Sequence, residues 1–281
     1  MDDGFDRAGD RSSTCRYGIS RLTCRGPKRD LDQPYIAFVG STEFYGRFIE
    51  TPLPALVEQR IGEPCVNFGV LNGGIEAFVH DPTIIRACSQ SRATVLQVMG
   101  ANFLSNRFYM VHPRRNDRFL RTSTVLDAIY PDVDFADFTF TRHMLTSLHE
   151  TCAQRFDIVI SELREAWSAR IRNLISQFRS PVILTWFSME DLDDKPWQDR
   201  TSGLAANPLF VTREMLENLR PMVADIVDLQ PSRAAVAAGT RGMVFTQFQR
   251  RAAQEMLGPA CHAEASEILA DRLRQVVSLA A

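Results

Sequence analysis

Tyr35-Ile-Ala-Phe-Val-Gly-Ser-Thr-Glu-Phe-Tyr-Gly46 is the stretch that decides the fold. A short unbroken apolar run closed by glycine reads as a strand buried on both faces. Ser41 and Thr42 followed by Glu43 are residues that favour a helix start, by capping and by charge at its N-terminus. Working outward, the same alternation recurs. Thr51 to Arg60 reads as a helix closed by Gly62, and Cys65 to Gly69 as a second strand. Asp81-Pro82 opens a helix to about Ser91, and Thr94 to Met99 is a third strand ending at Gly100. After residues 103–154, which mix arginines and aromatics, the pattern resumes. It gives a long helix over Phe156–Phe178, a strand over Pro181–Phe187, a helix over Thr212–Met222 and a strand over Asp225–Leu229. Helices near Arg241–Leu257 and Ala263–Leu279 close the chain. Short apolar strands separated by helices imply a parallel sheet covered on both faces. The expectation is a three-layer α/β/α sandwich over residues 31–281, with 103–154 as an insertion and residues 1–30 as a loosely held arm.

Composition narrows the class. The 281 residues are 45% hydrophobic and 23% charged, with a formal charge of −2. That is an ordinary globular profile with no net pull toward nucleic acid or an anionic membrane. No run reaches the ~18 apolar residues of a membrane span, and the polar start carries no apolar leader. Six cysteines without paired spacing, and histidines without finger-like spacing, argue against a disulfide framework and against zinc. The reading is a reduced, cytoplasmic protein with no metal and no cofactor. Only two of the 32 basic residues are lysines, Lys28 and Lys195, and arginine's planar fork suits carboxylate, phosphate or sulfate.

In such sheets ligands sit beyond the carboxyl ends of the strands. Those ends carry Gly40-Ser-Thr-Glu43, the Asn67-Phe-Gly-Val-Leu-Asn-Gly-Gly74 loop and Gly100-Ala-Asn102, with Cys261-His262 before the last helix. A hydroxyl, backbone donors, an amide side chain and an imidazole are the parts of an acyl-transfer site. In order and spacing these blocks resemble the SGNH, or GDSL-like, hydrolase and acyltransferase superfamily over roughly residues 36–275. The resemblance implies a flavodoxin-like five-stranded parallel sheet, Thr42 at the nucleophile position and Asn102 as an oxyanion donor. It also puts the oxyanion glycine at Asn72, or at Gly73 with a one-residue shift, and the base at His262. It departs in having Ser41 and Pro259 where the family has aspartates. Asp228 or Glu43 could stand in for the missing imidazole partner. GSTEFYGRF and NRFYMVHPRRNDRF are also similar to an uncharacterised bacterial domain family.

The resemblance implies an ester hydrolase or O-acyltransferase acting on a small-molecule or glycan ester. The competing reading is a catalytically degenerate member that binds an anionic ligand or partner through His112, Arg114, Arg115 and Arg118 of the insertion. Each candidate has a structural reading beside the functional one. Thr42, Ser41 and Glu43 suit a helix N-terminus, Gly73 and Asn72 suit a turn, and the arginines can pair with nearby aspartates. The sequence sets no oligomeric state.

Overall fold

The computed structural model describes residues 13–279. Five strands, β1 (Ile36–Val39), β2 (Cys65–Asn67), β3 (Ala93–Gln97), β4 (Val182–Trp186) and β5 (Asp225–Asp228), form one sheet in the order β2-β1-β3-β4-β5. Every pairing in it is parallel. The expected α/β/α sandwich is therefore the fold. Side chains alternate between its two faces, as the twofold period of a strand requires. Ile36, Phe38, Val95 and Ile183 point into one core layer, and Ala37, Val39, Leu96 and Leu184 into the other.

Helices cover both faces. After α1 (Thr42–Tyr45) come α2 (Leu53–Ile61) and α3 (Pro82–Gln90), then α4 (Thr141–Thr151), α5 (Ala153–Gln177) and α6 (Pro259–Leu279). Leu53 and Val57 of α2 pack with Leu269 and Leu273 of α6 on one side, while Ile84 of α3 and Leu163 and Trp167 of α5 build the other. The Trp167 indole donates to the Met99 carbonyl at 2.7 Å, fixing α5 to the loop that leaves β3.

Three expectations need correction. The span read as one helix over Arg241–Leu257 is a turn at Gln247–Gln249 and one short helix, Arg250–Gln254, preceded by Arg233–Ala238. Gly239 and Gly242, both at positive φ, break the chain there. Helix α6 starts four residues earlier than expected, at Pro259, because proline fits a first helical turn whose N–H groups have no intrahelical partner. The described part of the N-terminal arm is pinned rather than loose. Thr14–Cys15 pairs antiparallel with Cys24–Arg25, and Tyr17, Leu22 and Cys24 are buried. Residues 1–12 lie outside the described residues. The insertion folds as a hairpin of Tyr109–Val111 with Phe119–Thr122, then a short helix and α4.

Candidate functional site at the strand ends

The loops after β1, β2 and β3 and the insertion meet at one rim. Gln97, the polar residue that closes β3, organises the first of them. Its Oε1 accepts from Ser41 N at 2.8 Å and its Nε2 donates to Glu43 at 2.7 Å. Asn207 donates to the other Glu43 oxygen at 2.6 Å. Loss of hydration raises the Glu43 pKa, with the two amides and the neighbouring Arg142 opposing. The Arg142 guanidinium itself donates to the Ala205 and Ala206 carbonyls.

Thr42 begins α1 and is buried. Its hydroxyl accepts from Asn72 N at 2.9 Å and lies 3.4 Å from Asn72 Oδ1. Asn72 holds φ +54°, a left-handed conformation that asparagine tolerates better than most residues. Its amide reaches Asp117 at 3.3 Å. Burial raises the Asp117 pKa, and Arg115 and Arg118 oppose it. The backbone donor beside Thr42 is thus Asn72, while the Gly73 N–H is taken by Val70 O at 3.1 Å.

The His112–Arg118 turn is clamped onto the same loop. Asn116, fully buried, accepts from Gly74 N at 2.6 Å, donates to His112 O at 2.9 Å and gives its own N–H to Asn72 O. Gly74 is required here, because a Cβ would run into the Phe103 carbonyl. His112 Nδ1 accepts from Arg114 N and Arg115 N, and burial, then the adjacent arginines, lower its pKa. Arg115 Nη2 stands 3.9 Å from Asp117, and Arg118 lies over the Phe140 ring at 4.7 Å. None of the guanidiniums of Arg114, Arg115 and Arg118 makes a hydrogen bond to a carboxylate among the described residues. Asn102 is 1% exposed, and neither its amide oxygen nor its amide nitrogen has a partner among the described residues.

His262 is built into a different neighbourhood. Its ring is 1% exposed, and its Nδ1 accepts from Leu53 N at 3.0 Å, satisfying one of the free donors at the start of α2. The ring meets Phe187 edge-on at 5.1 Å. Burial, with Arg25 contributing second, holds its pKa down to about 3. Among the described residues the Thr42 hydroxyl has its hydrogen bonds with Asn72 and the His262 ring has its bond with Leu53, so no bond joins the two. Asp228 caps its own loop through Gln230 N at 3.1 Å.

Sequence reasoning missed Gln97, Asn116, Asn207 and Arg25. A glutamine closing an apolar strand is a legible signal. Arg25 carried none, although its guanidinium donates to the carbonyls of Tyr45, Gly46, Ile49 and Glu50 and so holds the segment after α1.

The chain belongs to the family described as a domain of unknown function (DUF6473), whose model matches residues 3–277. No curated protein matches it. Among solved structures it is similar to a lipase from a goat rumen metagenome, at 10% identity and a TM-score of 0.40, over 87% of this chain and 98% of that one. It is also similar to a gut microbial diltiazem-metabolizing enzyme, at 11% identity and a TM-score of 0.39, over 87% of this chain and 47% of that one.

Proposed function

We propose that this DUF6473 protein is a ligand-binding α/β domain that captures an anion at the strand-end rim through the His112–Arg118 turn. One observation carries the reading. The turn is held rigid by Asn116 and His112 while its three arginines are left without hydrogen-bonded carboxylates among the described residues. Guanidiniums carried on a rigid turn bind phosphate, sulfate or a uronic-acid carboxylate through charge-assisted forks, and the ion pair to be given up is the long 3.9 Å contact of Arg115 with Asp117. The test is titration calorimetry with inorganic phosphate, sulfate and glucuronate. Saturable binding weakened about tenfold by Arg115→Ala supports the reading, since each tenfold is ~1.4 kcal/mol. Affinity unchanged in an Arg114→Ala/Arg115→Ala/Arg118→Ala variant overturns it.

A second reading, ester hydrolysis or O-acyl transfer from Thr42 on a glycan ester, is favoured by the Asn72 N–H on the threonine oxygen and by the buried Asn102 amide, which has no partner among the described residues. It wants a base, and His262 is committed to Leu53. Fluorophosphonate labelling of the wild type that disappears in Thr42→Ala, with turnover of aryl acetates, would establish it.

A further inference from the structure

The largest of the described cavities touches the rim only at the Pro113–Arg114 corner of the insertion turn. It encloses about 380 Å³ between the N-terminal arm, the start of α3 and the Pro113–Arg114 corner of the insertion. That is within the ~300–1,000 Å³ range of small-molecule pockets. Three features describe what it suits.

The first is charge. Glu76 in its wall faces Arg170 at 3.6 Å. Asp81 takes the Ser20 hydroxyl at 2.6 Å and caps Thr83 N and Ile84 N. Asp81 is thereby committed, and Glu76 is paired in charge with Arg170 although its buried Oε2 makes no hydrogen bond among the described residues. Arg21 and Arg114 both line the cleft, and neither guanidinium has a hydrogen-bonding or ion-pair partner among the described residues. His80, also in the wall, is turned to Arg170 at 3.4 Å. The uncommitted charge in the cleft is positive.

The second is surface. Leu22, Ala77, Pro82 and Pro113 give the cleft apolar walls, and Ile19, also in its lining, is 85% exposed.

The third is rigidity. Ile19 and Arg21 sit in a loop fixed between buried Tyr17 and Leu22, closed by Ser20 N on Tyr17 O at 3.0 Å and Leu22 N on Ser20 Oγ at 3.1 Å. An exposed isoleucine beside an unpaired arginine is therefore held in place before any ligand arrives, which lowers the ordering cost of binding.

We infer that this cleft binds a small amphiphilic anion, a carboxylate or phosphate headgroup between Arg21 and Arg114 with a short apolar chain lying along Ile19, Leu22 and Pro113. The inference deepens the reading above and rests on it in one respect, Arg114 as an anion ligand.

The experiment is calorimetric titration of the full chain with octyl phosphate below its micelle concentration, octanoate, octanol and inorganic phosphate. Octyl phosphate is expected to bind at least tenfold more tightly than inorganic phosphate, and octanol not at all. Octanoate in place of octyl phosphate tells a fatty carboxylate source from a phosphate ester. Arg21→Ala should weaken octyl phosphate about tenfold and leave inorganic phosphate within about twofold. Ile19→Ser, at a solvent-facing position that the fold does not depend on, should weaken only the ligands with an octyl chain, by about threefold. Equal affinity for octyl phosphate and inorganic phosphate, or indifference to both substitutions, overturns the cleft while leaving the turn's anion binding intact. Octyl phosphate binding that responds to Arg21 and Ile19 but not to Arg115 and Arg118 keeps the cleft and removes the rim.

Discussion

The neighbourhoods of Thr42 and His262 use the same kinds of side chain to opposite ends. At the rim, polar groups are linked in a relay from Thr42 through Asn72 to Asp117, with arginines that make no hydrogen bond to a carboxylate and one buried amide without a partner among the described residues. Around His262 a single imidazole is closed in by Phe187 and given one task, accepting from Leu53 N. Surplus hydrogen-bonding capacity marks a place where something else can bind, whereas a nitrogen bonded to a helix N-terminus in apolar surroundings holds the fold. By that criterion the rim, which holds the groups without partners among the described residues, is where a ligand is proposed, while His262 Nδ1 serves the start of α2.

The largest effect expected from breaking this contrast is on stability. His262→Ala removes a buried ring and orphans the Leu53 N–H, and should cost about 3 kcal/mol in urea denaturation. Anion binding at the rim should survive the change. A variant of normal stability that has lost binding would reverse the assignment of the two neighbourhoods.

Asn116→Ala is next. It frees Gly74 N and lets the insertion turn swing, so it should cost about 2 kcal/mol and weaken anion binding roughly tenfold in the same titration. It is the rim counterpart of the His262 change, because here stability and binding should fall together.

The two neighbourhoods also differ in the sign of their pH dependence. In the unfolded chain His262 takes up a proton near 6.5, but in the folded chain only near 3. Between those values the unfolded state binds more protons, so stability falls as pH drops through that window and is unaffected above it. Replacing His262 with Gln should flatten that part of a denaturation-midpoint profile. Glu43 behaves oppositely. Its folded pKa lies above the ordinary 4.5, so the stability it contributes is complete below 4.5 and is lost as pH rises through the folded value. Glu43→Gln should therefore gain on the wild type as pH rises above the ordinary 4.5 and through the raised folded value. The gain is modest, because Gln97 cannot turn its amide over while its Oε1 holds Ser41 N, and Asn207 must do so instead.

How much of this could be read in the residues follows from where each constraint lies. The strands were legible because burial on both faces leaves an unbroken apolar run, as in Ile36–Val39, and glycine ends it. The Asn72–Gly74 loop was legible as a place, since its residue types announce a turn. The role of Thr42 was only half legible. That a helix starts there is local, whereas the partner of its hydroxyl is set by a loop 30 residues on. His262 was misleading in position yet readable in pattern. Positions 262, 266, 269 and 273 follow helical spacing and all are buried, so a helix begun at Pro259 turns the imidazole inward. Arg25 was not legible, because only the folded arm brings it to the carbonyls after α1.

The most direct test of the contrast is the protonation of the His262 ring, followed by ¹⁵N NMR of the side-chain nitrogens from pH 8 to pH 3.5. The account requires a neutral ring with an unprotonated Nδ1 down to about pH 4, unmoved by phosphate at saturating concentration. A ring that titrates near 6.5, or that shifts when Thr42 is replaced by alanine, would put the imidazole back at the rim and contradict it.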